Sequence, residues 1–114
     1  VQGIESYPGR CLAYSLGNFA FGGNSLARRP ECFVLRLRFR SDRGTIIPGG
    51  SSVVPCLTTS SVRKTEDGVL RNNYQPRPVF GERASDLVDL LLTRSAGLDY
   101  GLRRIEYFDP VGSP

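Results

Sequence analysis

The sequence contains no histidine, and Lys64 is the single lysine among its fifteen basic residues. Without histidine there is no Ser-His-Asp or Cys-His apparatus for nucleophilic catalysis, and the commonest metal ligand is missing. Cysteine is sparse as well: Cys11, Cys32 and Cys56 form no Cys-x-x-Cys pair, so no zinc site is spelled out. Gly22-Gly23 and Gly49-Gly50 are not followed by Gly-Lys-Ser/Thr, which excludes a Walker-type phosphate loop. No apolar run approaches the roughly 18 residues of a membrane-crossing helix, so no transmembrane segment is expected in this chain. The carboxylates are scattered. Glu66-Asp67 adjoins a turn glycine, and Asp86 and Asp89 stand three apart on a helix; both read as surface positions rather than an acid/base pair. No catalytic residue, metal ligand or cofactor is expected here, and the chain alone is not expected to be an enzyme.

What is present describes one globular unit. The 114 residues are 39% hydrophobic and 23% charged, values of a folded chain rather than a disordered one. Thirteen glycines and eight prolines favour many turns and short strands over a helical bundle. The three cysteines cannot all pair within the chain. Either one disulfide forms beside a leftover thiol, or all three are free thiols buried on strands. The net charge of +4, carried almost entirely by arginine, leaves acidic partners open, although a basic surface of this size is commonly just solvated.

The pattern predicts an α+β fold, mainly β, with short antiparallel hairpins and one helix in the C-terminal half. Ile4–Tyr7 and Cys11–Ser15 read as strands around Tyr7-Pro8-Gly9-Arg10, a type II turn whose third position needs a positive φ. If Tyr7 faces Arg10, then Glu5, Tyr7, Leu12 and Tyr14 share one face, and Ile4, Ser6, Cys11 and Ala13 the other. Gly22-Gly23-Asn24-Ser25 marks a loop. Within 31–59, Cys32–Arg40 alternates Phe33, Leu35, Leu37 and Phe39 with Val34, Arg36, Arg38 and Arg40, predicting a half-buried strand. Ser41-Asp42-Arg43-Gly44 turns the chain, Thr45–Ile47 resumes a strand, and Ser52–Thr58 forms another. Pro55 cannot donate to a ladder, which predicts an edge or a bulge there. Residues 60–81 read as an extended surface connection, 82–96 as a helix capped by Gly81 and closed by Gly97, and 97–114 as a tail with a short strand over Ile105–Phe108. Leu87, Val88, Leu90, Leu91 and Leu92 give the helix a broad apolar stripe to bury.

Arg36, Arg38 and Arg40 form the most chemical feature of the pattern. On a strand they project from one face about 7 Å apart, a spacing suited to an extended polyanion. The plainer reading is a solvated face paired with acids on neighbouring strands. Nucleic acid is not expected, because Phe33 and Phe39 fall on the opposite face and cannot interleave as stacking platforms.

Val1-Gln2-Gly3-Ile4-Glu5, Tyr7-Pro8-Gly9-Arg10 and Ala13-Tyr14-Ser15-Leu16-Gly17-Asn18-Phe19-Ala20-Phe21 together resemble the C-terminal region of CapA proteins, also called PgsA, of capsule or poly-γ-glutamate biosynthesis. The likeness extends softly through Val54-Pro55-Cys56 and Asn73–Pro78, and from the helix start at Gly81-Glu82 to Ser95, covering nearly the whole chain. In that family a Gly-His-x-Pro-His segment precedes the turn. The resemblance implies the C-terminal part of a two-sheet, calcineurin-like metallophosphoesterase fold, with the histidines on an N-terminal portion that is this chain's partner. It implies a bacterial cell-envelope or extracytoplasmic location, and a divalent metal in the complete protein. It places Gln2, Glu5, Gly17 and Asn18 at the rim of the parent site. For Asn18 the alternative is a loop amide that caps its own backbone. The second expectation, of another class, is an independent non-catalytic module that binds poly-γ-glutamate or another anionic polymer through Arg36, Arg38 and Arg40.

Overall fold

The chain opens with a hairpin because its turn chemistry allows nothing looser. In the computed structural model, which describes residues 1–20, 29–59 and 62–108, β1 (Ile4–Tyr7) pairs antiparallel with β2 (Arg10–Ala13). Tyr7 faces Arg10 and Gly9 takes φ 75°, as the Pro-Gly turn requires. This register divides the side chains as the sequence predicts. Ile4 is fully buried, with Cys11 and Ala13 packed against the core. The loop expected at Gly22–Ser25 lies outside the described residues.

The main sheet is built on a long hairpin, β3 (Glu31–Asp42) with β4 (Thr45–Leu57). Arg43 and Gly44 both have positive φ, 50° and 81°, making the two-residue turn whose twist suits a hairpin. Two expectations are corrected here. Thr45–Ile47 and Ser52–Thr58 are not separate strands but one, with the ladder stepping past Gly49-Gly50 opposite Arg38 as a bulge. The approach is close there: a Cβ on Gly49 would lie 3.2 Å from the Cβ of Arg38.

Pro55 is neither at an edge nor at the bulge. Phe33 sends its N–H outward to the Leu16 carbonyl at 2.8 Å, so Phe33 and Pro55 face one another without a ladder bond. The missing donor of Pro55 therefore points to the other side of β4. There it falls between β8 (Glu106–Tyr107), parallel at Ser52 and Val53, and β7 (Arg77–Pro78), antiparallel at Cys56 and Leu57. The Pro55 carbonyl still accepts the Val79 N–H at 3.0 Å.

The stretch 60–81 is not simply an extended connection. It holds a small hairpin, β5 (Val62–Lys64) with β6 (Leu70–Asn72), turned at Thr65–Val69 with Gly68 at φ 77°. The helix α1 runs Gly81–Ser95; its N-cap is Phe80, which makes no side-chain cap bond, and Gly81 at φ 63° swings the chain into the first turn. Ala84, Leu87, Val88, Leu91 and Ser95 form its buried face, which packs across β1 and β4. Together with Ile4, Phe33, Val53 and Val79 these apolar residues make the core.

Burial fades along β3. Phe33 is 2% exposed, whereas Leu37 is 43% and Phe39 60% exposed. The strand is half-buried only at its start; beyond Leu37 most side chains of the β3–β4 ribbon are exposed, with Ile46 71% exposed.

Candidate functional site

The first and last parts of the chain meet around the end of α1. Ser95 Oγ accepts the Ile4 N–H at 3.0 Å and donates to the Leu91 carbonyl at 2.8 Å. Residues 100–102 then run along β1, with Ser6 N–H on the Tyr100 carbonyl at 2.9 Å and Leu102 N–H on the Ile4 carbonyl at 3.0 Å. Such contact tolerates no side chain at Gly101, where a Cβ would sit 1.7 Å from the Ser95 carbonyl oxygen.

Beside this junction a cleft of about 640 Å³ opens between Gln2, Tyr14, Ser15, Arg29, Arg94 and Leu98. Gln2 is held by its N–H on the Ser15 carbonyl at 2.8 Å, so the approach to β1 and the residues after β2 line the same wall. Arg94 is half-buried; its guanidinium donates to the Val1 carbonyl at 2.5 Å and lies 3.8 Å from the Glu31 carboxylate. Arg29 is exposed. The cleft therefore combines a neutral amide, a hydroxyl and two guanidiniums, a set that favours an anionic group.

Of the four residues expected at the rim, the structure brings Gln2 alone to this cleft. Glu5 is buried behind it, on the outer face of the hairpin. Its carboxylate accepts the Tyr14 hydroxyl at 2.5 Å, the Tyr7 hydroxyl at 3.2 Å and the Tyr100 N–H at 3.0 Å. The Tyr14 bond, then the Tyr100 N–H, holds Glu5 below its ordinary pKa against the opposing effect of burial. In turn the Tyr14 hydroxyl is pushed up to about 12, chiefly by that bond. Gly17, at φ 90°, lies against β3, where a Cβ would come within 2.6 Å of the Glu31 carbonyl oxygen. Asn18 is exposed next to it.

Arg36, Arg38 and Arg40 are all exposed on β3, and among the described residues none has an ion-pair partner. Cys32 and Cys56 are buried and face each other across β3 and β4, while Cys11 is half-buried on β2; all three are free thiols. Burial raises each of them, Cys32 to about 12, disfavouring the thiolate. Among the described residues no three Cys, Asp or Glu side chains cluster as a metal-binding group.

No family model matches this chain, and no curated protein or solved structure matches it.

Sequence reasoning missed Arg29, Arg94, Ser95 and Tyr100. Tyr7 and Tyr14 could be placed beside Glu5 from the hairpin register alone. The others lie far from β1 in sequence, and no local pattern announces them.

Proposed function

We propose that this chain is the C-terminal, non-catalytic part of a CapA-like capsule or poly-γ-glutamate biosynthesis protein. In this reading it completes the fold and forms the rim of a site whose metal ligands lie on another segment. The observation that carries it is the shared cleft. Tyr14 and Ser15 begin the most family-specific run of the sequence, Gln2 belongs to the segment before the turn, and all three open on one space with Arg29 and Arg94. Gln2 supplies an amide at that rim. Glu5 acts behind it, fixing the tyrosines and the chain around Tyr100. Gly17 and Asn18 shape the connection into β3. The parent fold of two sheets flanked by helices, and the cell-envelope location, belong to the same reading.

The second reading is an independent module that binds an anionic polymer, and it is favoured by the exposed arginines of β3, which lack ion-pair partners among the described residues. An amide NMR titration with γ-linked glutamate oligomers at low and moderate salt separates the two. Shifts centred on Gln2, Tyr14, Ser15 and Arg94 support the rim. Shifts confined to Arg36, Arg38 and Arg40 that fade with salt support the polymer module and count against the first reading.

A further inference from the structure

We propose that the outer edge of β3, from Leu35 to Ser41, receives an added strand: an extended polypeptide segment of alternating apolar and acidic residues. The edge comes first. β3 is covered by β4 on one side; on the other, residues 16–17 lie against its first residues, with Phe33 N–H on the Leu16 carbonyl. Because Phe33 directs its N–H outward, the alternation of the ladder turns the N–H and C=O groups of Leu35, Leu37 and Phe39 outward too. These are the unpaired groups that a strand from another chain completes.

The side chains then select the chemistry. The outward-bonding residues carry their side chains on the apolar face, where Leu37 and Phe39 are 43% and 60% exposed. A groove of about 270 Å³ between that face and the β1–β2 turn is lined by Tyr7, Leu37, Phe39 and Pro48 together with polar groups of Arg10 and Ser51, so it offers a side chain of the incoming strand both apolar and polar surface. The opposite face presents Arg36, Arg38 and Arg40, all exposed, to the alternate residues of the same incoming strand. Acidic side chains there meet guanidiniums. A second copy of this chain is the wrong occupant, since pairing β3 with β3 sets one arginine row beside another. The ribbon itself gains from such a partner, because two strands without a packed face are marginally stable alone.

This goes beyond binding of a polyanion, since it requires a peptide backbone and apolar side chains as well as charge. The test uses the whole chain and a short synthetic peptide of alternating valine and glutamate. Binding is followed by NMR and by amide hydrogen exchange. The expected result is binding that slows exchange at Leu35, Leu37 and Phe39, weakens with salt, and drops by at least about tenfold with Arg36→Gln/Arg38→Gln/Arg40→Gln. The same peptide N-methylated at alternate residues, prepared in both registers, leaves the protein untouched and should bind at least about tenfold more weakly in one register. Equal binding of both methylated peptides, or no binding of the parent peptide, overturns the proposal. So does binding through the same residues by γ-linked glutamate oligomers or phosphatidylglycerol vesicles that matches or exceeds the peptide's.

Discussion

Ser95 and Ile4 are joined by a hydrogen bond of 3.0 Å across 91 positions of sequence, from the first strand's opening amide to the hydroxyl in the helix's last turn. Both residues are completely buried. The same hydroxyl donates to the Leu91 carbonyl, so its single donor is used inside the core. Ser95→Ala should therefore strand the Ile4 N–H in the core and cost about 1–3 kcal/mol, read from urea unfolding. A loss below a few tenths would mean the junction relaxes and does not hold β1 on the helix.

Gly101 should tolerate substitution less well than any turn glycine. Gly101→Ala puts a methyl where the Ser95 carbonyl already lies and should lower stability by at least about 1–3 kcal/mol, through displacement of 100–102 from β1. Gly50→Ala makes the comparison, because a Cβ there meets nothing within 4 Å. Thermal melts of the two variants should separate clearly.

The Glu5–Tyr14 bond gives a pH signature at both ends of the scale. Glu5 titrates below its ordinary 4.5, so its contribution to stability is present above that value and is lost as pH falls through the lowered pKa. Tyr14 titrates near 12 rather than 10, so its contribution is complete below 10 and is lost as pH rises through about 12. Glu5→Gln should return the Tyr14 phenol toward 10, visible in ultraviolet titration against a Tyr14→Phe control. An unchanged high pKa in Glu5→Gln would remove the carboxylate as its cause.

The burial gradient along β3 predicts opposite outcomes for two phenylalanines of one strand. Phe33→Ala should cost about 3–5 kcal/mol by chemical denaturation, as a core deletion does. Phe39→Ala should stay within about 0.5 kcal/mol, because that ring lies mostly in solvent. Equal losses would mean that the distal ribbon is packed in solution.

Much of this fold could be read from the chain in advance where the signal was local. The Pro-Gly turn fixed the first hairpin's register and hence the company of Glu5; Asp42-Arg43-Gly44 placed the second; the leucine stripe located the helix face. What escaped was set by distance or by compensation. Thr45–Ile47 and Ser52–Thr58 read as two strands, but the glycine pair between them absorbs a bulge inside one continuous strand. Pro55 suggests an edge or a bulge, but its missing donor is harmless in a central strand when it points between two short partners. The alternation of β3 continues to Arg40, although among the described residues no layer buries its second half. The cleft was legible on one wall, Gln2 and the Tyr14-Ser15 run, whereas Arg29 and Arg94 reach it through tertiary packing.

The central claim, a rim without its own catalytic residues, is tested most directly by complementation. The upstream region of a CapA-like protein, ending with its Gly-His-x-Pro-His segment, is co-expressed with this chain, and phosphoester hydrolysis is measured with a divalent metal. The account predicts a stable complex that is active only when both parts are present and weakened by Gln2→Ala, with this chain alone inactive. Activity in this chain alone, or failure of the two parts to associate, would contradict it.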